Sequence, residues 1–250
     1  MSVEGFPYYI EFRHVFKTFD RPILVDTNFY VPAGETVAII GRSGVGKSVS
    51  LATIMGFLKP DEGRVIVGNR DITFFDEAEL RKVRKKVTMV FQSGALFDSL
   101  TVGENILFSL ELRDDYDMQN KEDVVDGLLD MVELLPYKDS YPADLSTGHR
   151  RAVAIARALA AQPECVLYDE PTTMVDPIMA HHLAMLMLRL KMQLRLTSVV
   201  VTHDLELMRT VADKVVFLSE GKVAYFGPVE GLEECNDELI QEFLKLDRIS

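Results

Sequence analysis

Gly41-Arg42-Ser43-Gly44-Val45-Gly46-Lys47-Ser48 is the stretch on which the reading of this chain turns. It satisfies the spacing G-x-x-x-x-G-K-[ST]. Glycines there let the backbone curl so that successive amide N–H groups converge on phosphate oxygens at the start of a helix. Lys47 is expected to reach the terminal phosphates and the Ser48 hydroxyl to ligate a magnesium ion. Immediately upstream, Thr36-Val37-Ala38-Ile39-Ile40 is a continuous apolar run of the kind buried on both faces of a parallel sheet. Downstream, Val49–Leu58 follows a helical pattern. Strand, glycine turn and helix in that order make a nucleotide phosphate site.

Working outward, short β-rich runs alternate with helix-length patterns, which predicts an α/β fold with a mostly parallel sheet. Strands are expected at Tyr8–Val15, Ile23–Val31, Val87–Phe91, Cys165–Tyr168, Ser198–Thr202 and Val215–Leu218. A last one, Lys222–Phe226, follows the turn Glu220-Gly221. Between Gly94 and Gly148 strand signals fade. Helical periodicity takes over at Val102–Leu112 and Asp123–Leu135, separated by the acidic stretch Arg113-Asp114-Asp115-Tyr116-Asp117. This predicts a helical sub-domain inserted into the α/β core.

A second chemical signal is Cys165-Val166-Leu167-Tyr168-Asp169-Glu170, an apolar strand ending in two acids. Asp169 at a strand tip suits a magnesium ion. Glu170 beside it suits a general base that orients and deprotonates an attacking water. Leu145-Ser146-Thr147-Gly148-His149 precedes a helix expected over Arg150–Ala161, with Ser146 well suited as its N-cap. Gln92 ends one strand and His203 follows another.

Taken together these elements resemble the ATP-binding-cassette (ABC) ATPases over nearly the whole chain. They are the cradle, the glutamine loop at Gln92, the signature Leu145–His149, the acids Asp169 and Glu170, the loop Thr173–Asp176 and the switch His203. The resemblance implies a P-loop NTPase (RecA-like) core over about 1–93 and 150–228, carrying an N-terminal antiparallel β sub-domain. A helical signature sub-domain would occupy about 94–149 and a helical tail 229–250. It implies ATP and Mg²⁺ as ligands, with Gly41, Ser43, Gly44, Gly46, Lys47, Ser48 and Val49 holding the nucleotide and Ser48, Gln92 and Asp169 the metal. Glu170, His203, Gln92 and Lys47 would carry the chemistry. An aromatic ring would stack on adenine, Phe19 being the choice and Phe16 its rival. The family also implies a head-to-tail homodimer in which Ser146, Gly148 and Asp176 reach the other copy's nucleotide. Departures from the family pattern stand out: Thr147 where glycine is usual, His149 where glutamine is usual, and Met174 and Val175 where a small residue and leucine are usual. The threonine is expected to restrict the backbone and leave hydrolysis modest.

Around Gln92 the string Phe91-Gln92-Ser93-Gly94-Ala95-Leu96-Phe97 is similar to the ATPase subunit of bacterial MCE-associated (Mla-type) lipid transporters. Val175-Asp176-Pro177-Ile178 fits the same subgroup. This resemblance implies phospholipid transport, a permease docking near Gln92–Phe97, an MCE-domain lipid-binding partner and a small accessory subunit. The chain would then lie peripherally on the cytoplasmic face of an inner membrane. The alternative is the ATPase of another ABC importer or exporter, with a soluble nucleic-acid or translation factor further away.

Composition sets the outer limits. The 250 residues are 48% hydrophobic and 26% charged, ordinary for a globular protein. A net charge of −12 argues against nucleic acid as a partner. Cys165 and Cys235 are too few for a disulfide framework or a thiolate zinc site. No run approaches the roughly 18 apolar residues of a membrane span, and Met1–Gly5 lacks a signal-peptide pattern. The basic run Arg81–Lys86 reads as a solvated helix end, the Met-rich segment 179–192 as a core helix, and His14, His181 and His182 as surface residues. In the tail, Leu239, Ile240, Phe243 and Leu244 share one helical stripe, which could pack on its own domain or on a second copy.

Overall fold

The computed structural model describes residues 8–113 and 120–246. The chain start at Met1–Gly5 and the acidic residues Asp114–Asp117 lie outside them. Two sheets form the frame. The first is antiparallel, in the order β2-β1-β4-β5, from β1 (Ile10–Thr18), β2 (Pro22–Val31), β4 (Glu62–Val67) and β5 (Arg70–Asp71). The second has the order β10-β9-β3-β8-β7-β6. Its strands are β3 (Thr36–Ile40), β6 (Val87–Val90), β7 (Cys165–Asp169), β8 (Thr197–Val201), β9 (Lys214–Ser219) and β10 (Lys222–Pro228). All its neighbours pair parallel except β9 and β10, a hairpin. Glu220 and Gly221 turn that hairpin with φ of 49° and 78°, the left-handed pair that matches strand twist.

Strand β3 shows why the apolar run must be central. Every residue in it is buried. Val37 and Ile39 face the core between the sheets, while Ala38 and Ile40 face a second cluster on the other side. That is the two-residue period of a pleated strand with both faces covered. The inter-sheet core also takes Leu51 and Ile54 of α1 (Lys47–Ile54), so the helix that follows the cradle is seated between the sheets.

The helical middle region contains α3 (Val102–Glu111) and α4 (Lys121–Met131) and leads into α5 (Thr147–Ala160). Thr101 and Glu104 close a capping box at the start of α3. These helices share one apolar cluster with α6 (Pro177–Leu194) and with Val90, Val166, Tyr168 and Val200 of the large sheet. Helix α5 starts three residues earlier than its apolar pattern predicts. Ser146 is extended at the N-cap, and its hydroxyl accepts from His149 N–H at 3.2 Å. Thr147 and Gly148 are therefore already helical. Thr147 is absent from the described residues with positive φ, so its side chain imposes no backbone strain; its Oγ1 accepts a 3.1 Å hydrogen bond from Arg150. The expected restriction at Thr147 is corrected by this: the first turn of a helix has a φ that threonine adopts freely.

In α6, Leu183, Ala184, Leu186, Met187 and Leu190 are buried, but Met185 and Met192 face solvent, so the core reading holds for one side only. The basic run at Arg81 closes the last turn of α2 (Glu77–Arg84), capped by Asp76, as the helix end read from the sequence; missing from that reading are β4, β5 and α7 (Leu205–Val211), capped by Asp204. The tail forms α8 (Val229–Glu233) and α9 (Glu238–Leu246). Ile240 and Leu244 of α9 bury themselves against β3 and β9 of the same chain, which decides the open question of where the tail packs. Among the described residues, no helix is long and apolar enough to cross a membrane. No group of three or more His, Cys, Asp or Glu side chains placed to hold a metal ion forms among the described residues; His181 pairs with Glu206 and His14 with Asp26 at the surface.

Candidate functional site

The loop from β3 to α1 folds into a tight cradle. At Gly41 φ is 144°, and a Cβ there would lie 2.3 Å from the Leu218 carbonyl oxygen. At Gly46 φ is 111°, and a Cβ would meet Leu24 at 2.8 Å and the Ile23 carbonyl at 2.9 Å. Only glycine fits either position. The curl brings Lys47 back under the loop, where Nζ donates to Gly41 O at 2.9 Å and Arg42 O at 3.3 Å. Burial lowers the Lys47 pKa, opposed by the nearby charges of Glu170 and Asp169.

Strand β7 runs alongside β6 and β8 and ends its two acids beside this cradle. Ser48 Oγ donates to Asp169 Oδ1 at 3.2 Å, linking α1 to the strand tip. Asp169 has a raised pKa because it is partly buried, with the Ser48 hydrogen bond acting in the opposite direction. Glu170, whose side chain is only 14% exposed, is held from several sides. Its backbone N–H donates to Val201 O at 2.9 Å, and its φ of 50° lies in the left-handed region that non-glycine residues avoid. Oε2 accepts from Thr173 Oγ1 at 3.2 Å and contacts His203 Nδ1 at 2.8 Å. A carboxylate can only accept, so an ionised Glu170 requires the proton on Nδ1 of His203. Oε1 lies 3.8 Å from Lys47 Nζ.

These groups open onto one cleft of about 760 Å³, within the size range of small-molecule sites. Of the residues singled out in the sequence, its lining includes Phe19, Gly41, Ser43, Gly44, Gly46, Lys47, Ser48, Val49, Gln92, Glu170 and His203. Phe19 stands at the rim, 53% exposed. Phe16 is not part of the lining; it sits in β1 opposite Glu62 of β4. Asp169 lies behind the wall, reaching the cleft through Ser48. Ser146, Gly148 and Asp176 do not line it. Gly148 is buried where a Cβ would come within 2.9 Å of the Met179 methyl on α6, so two helices pack closely there and a larger residue would make Met179 shift. Asp176 caps α6, accepting from Met179 N–H at 3.0 Å.

The donor set suits a magnesium ion: a serine hydroxyl, a carboxylate and, from Gln92, an amide oxygen are all hard oxygen ligands. The loop after Gln92 is fastened from two directions. Arg157 of α5 donates to Ala95 O at 2.7 Å and Gly94 O at 3.1 Å. Buried Asn105 of α3 accepts from Phe97 N–H and donates to Phe97 O. Sequence reasoning missed Thr173 as a partner of Glu170, Arg157 and Asn105 as anchors, and Phe243 of α9 as a lining residue. Thr173 lies three residues from Glu170 and Asn105 eight from Phe97, within reach of a local search, whereas Arg157 and Phe243 make contacts across long stretches of chain and carry no local signal.

A family profile described as ABC transporter matches residues 24–173. The chain belongs to the ABC transporter family. Among curated relatives, methionine import ATP-binding protein MetN 1 of Burkholderia pseudomallei (strain 1710b) is 40% identical over 225 residues, covering 88% of this chain and 65% of the relative. The MetN 1 protein of Paraburkholderia xenovorans (strain LB400) is 38% identical over 229 residues with the same coverage. This ABC chain thus spans about two-thirds of the length of those relatives. A bacterial ABC transporter cassette solved as a dimer superposes with a TM-score of 0.80 at 33% identity, covering 88% of this chain and 98% of that one. The cbiO1 protein of Clostridium perfringens, part of the transporter complex cbiONQ, gives 0.85 at 27% identity and 98% coverage of both. These matches carry the α/β ABC cassette fold with its antiparallel sheet and helical part.

Proposed function

We propose that this chain is the ATP-hydrolysing subunit of an ABC importer, acting as two copies docked beneath a membrane permease. One observation carries the reading: Lys47, the Ser48–Asp169 pair and the Glu170–His203–Thr173 cluster converge on a single cleft. The cradle amides and Lys47 bind the triphosphate, and Phe19 takes the adenine at the rim. Ser48, Gln92 and Asp169 would hold Mg²⁺, which would supply positive charge to offset that of the phosphates. Glu170 accepts the proton of the attacking water. His203 and Thr173 fix its Oε2, so that Oε1 is the oxygen left to face the reacting water. Positive charge on Lys47 keeps Glu170 near the phosphate end without a direct hydrogen bond.

Ser146 is exposed at the N-terminus of α5 and does not line its own cleft. In a head-to-tail pair it and Gly148 would present a helix N-terminus to the second copy's terminal phosphate, with Asp176 nearby. That a solved relative is dimeric supports the pairing of two copies. The permease would meet the face around Gln92–Phe97, where Phe91 and Phe97 are exposed. The assembly would then sit on the cytoplasmic side of a membrane.

For cargo, the relatives named as methionine import proteins favour a small amino-acid substrate of the methionine class. They favour the alternative of another importer over the phospholipid reading. That second reading, with an MCE-type lipid-binding partner and an accessory subunit, rests on the strings Phe91–Phe97 and Val175–Ile178 alone. The test is two-fold. Phosphate release from ATP by the purified chain must be lost in Lys47→Ala; equal turnover would refute the site. The chain with its co-purified permease in proteoliposomes must then be assayed for ATP-driven methionine uptake and for lipid transfer. Uptake without lipid transfer supports the importer reading, and the reverse result overturns it.

A further inference from the structure

Helix α9 reaches the nucleotide cleft from the far end of the chain. Its buried face, Ile240 and Leu244, is embedded in the cluster formed by β3 and β9. Its start is capped by Asp237, whose Oδ1 accepts from Leu239 N–H at 2.9 Å. Gln241 ties it to the preceding turn by donating to Cys235 O at 2.8 Å. So anchored, α9 turns two residues toward the cradle. Glu242 pairs with Arg42 of the phosphate loop at 2.8 Å. Phe243 packs edge-on against Phe217, with ring centroids 5.2 Å apart, and lines the same cleft as Phe19. The Arg42–Glu242 pair is 59% exposed on both sides, too wet to add much stability; its value here is that it places α9 directly against the loop.

We propose that Phe243 is a second aromatic wall of the nucleotide site, contacting the sugar–base part of ATP while Phe19 stacks from the rim. The proposal rests on the nucleotide reading of the cleft given above. A phenylalanine gains nothing from triphosphate oxygens but favours apolar and planar surface. Its backing by Phe217 and the buried side of α9 holds the ring in place, so little entropy is lost on contact.

The experiment measures equilibrium binding of Mg-ATP and of inorganic tripolyphosphate to the full chain by calorimetry. It compares wild type with Phe243→Leu, Phe243→Tyr and Lys47→Ala. Leucine keeps the packing on Phe217 but removes the aromatic face; tyrosine retains it. The expected result is roughly 3- to 10-fold weaker ATP binding for Phe243→Leu, with tripolyphosphate binding and melting temperature unchanged and Phe243→Tyr near wild type. Unchanged ATP affinity in Phe243→Leu, with Lys47→Ala impaired, overturns the proposal and leaves the site reading standing. Equal weakening for ATP and tripolyphosphate also overturns it, since the effect would then come through the cradle. Undiminished ATP binding in Lys47→Ala defeats the site reading itself, and this proposal with it.

Discussion

At Glu170 three demands meet in one residue: a left-handed backbone, a carboxylate fixed by Thr173 and His203, and proximity to Lys47. Strain of that kind costs about 1–3 kcal/mol and persists only where neighbours over-determine it, here the Val201 carbonyl and two side-chain donors. Glu170→Gln should lower ATP turnover by roughly 10²- to 10⁴-fold while retaining ATP binding, as read by phosphate release and calorimetry. Asp169 offers a test by pH. Burial raises its carboxyl pKa, so folding disfavours the ionised form. The stability linked to this group is complete below the unfolded-state value and is lost as pH rises through the higher folded-state value. Asp169→Asn should therefore raise the melting temperature of the protein at neutral pH by a few degrees, with the gain closing as pH falls toward about 4. Magnesium-dependent nucleotide binding should weaken in the same variant. Thermal melts across that range, with and without Mg-ATP, check both halves.

Among the elements, α5 joins signature and glutamine loop: its N-cap is Ser146, and Arg157 holds the Gly94 and Ala95 carbonyls. Removing the cap with Ser146→Ala should cost about 1 kcal/mol, a fall of roughly 2–4 °C in melting temperature for a chain this size. Thr147→Gly should not restore any lost freedom. It removes the oxygen that accepts from Arg150 and adds backbone entropy at a helical position, a penalty of a few tenths to about 1 kcal/mol. Its melting temperature should drop slightly, and its ATP turnover should not exceed wild type. A several-fold gain in turnover would revive the idea that Thr147 restrains the signature.

For the whole molecule, Lys47, Ser48, Gln92, Glu170 and His203 share one cleft whose lining does not include Ser146. The head-to-tail reading predicts that Glu170→Gln with Mg-ATP sediments as a dimer and that adding Ser146→Ala shifts it toward monomer at the same concentration. Analytical ultracentrifugation distinguishes the two. A dimer unaffected by Ser146→Ala would place the contact elsewhere.

Much of this was legible in the chain itself. The apolar run Thr36–Ile40, the glycines of the cradle and the acids closing β7 are local patterns, because a strand buried on both faces and a loop wrapped round phosphate each need particular residues in unbroken order. The mature geometry of α5 was less legible, since Ser146 begins the helix through a side-chain cap before the apolar periodicity starts. The partner His203 of Glu170, Arg157 on the glutamine loop, and Phe243 in the cleft were decided only by tertiary structure. Hydrogen bonds and ring contacts between residues tens to hundreds of positions apart depend on how sheets and helices stack, and no single segment encodes that.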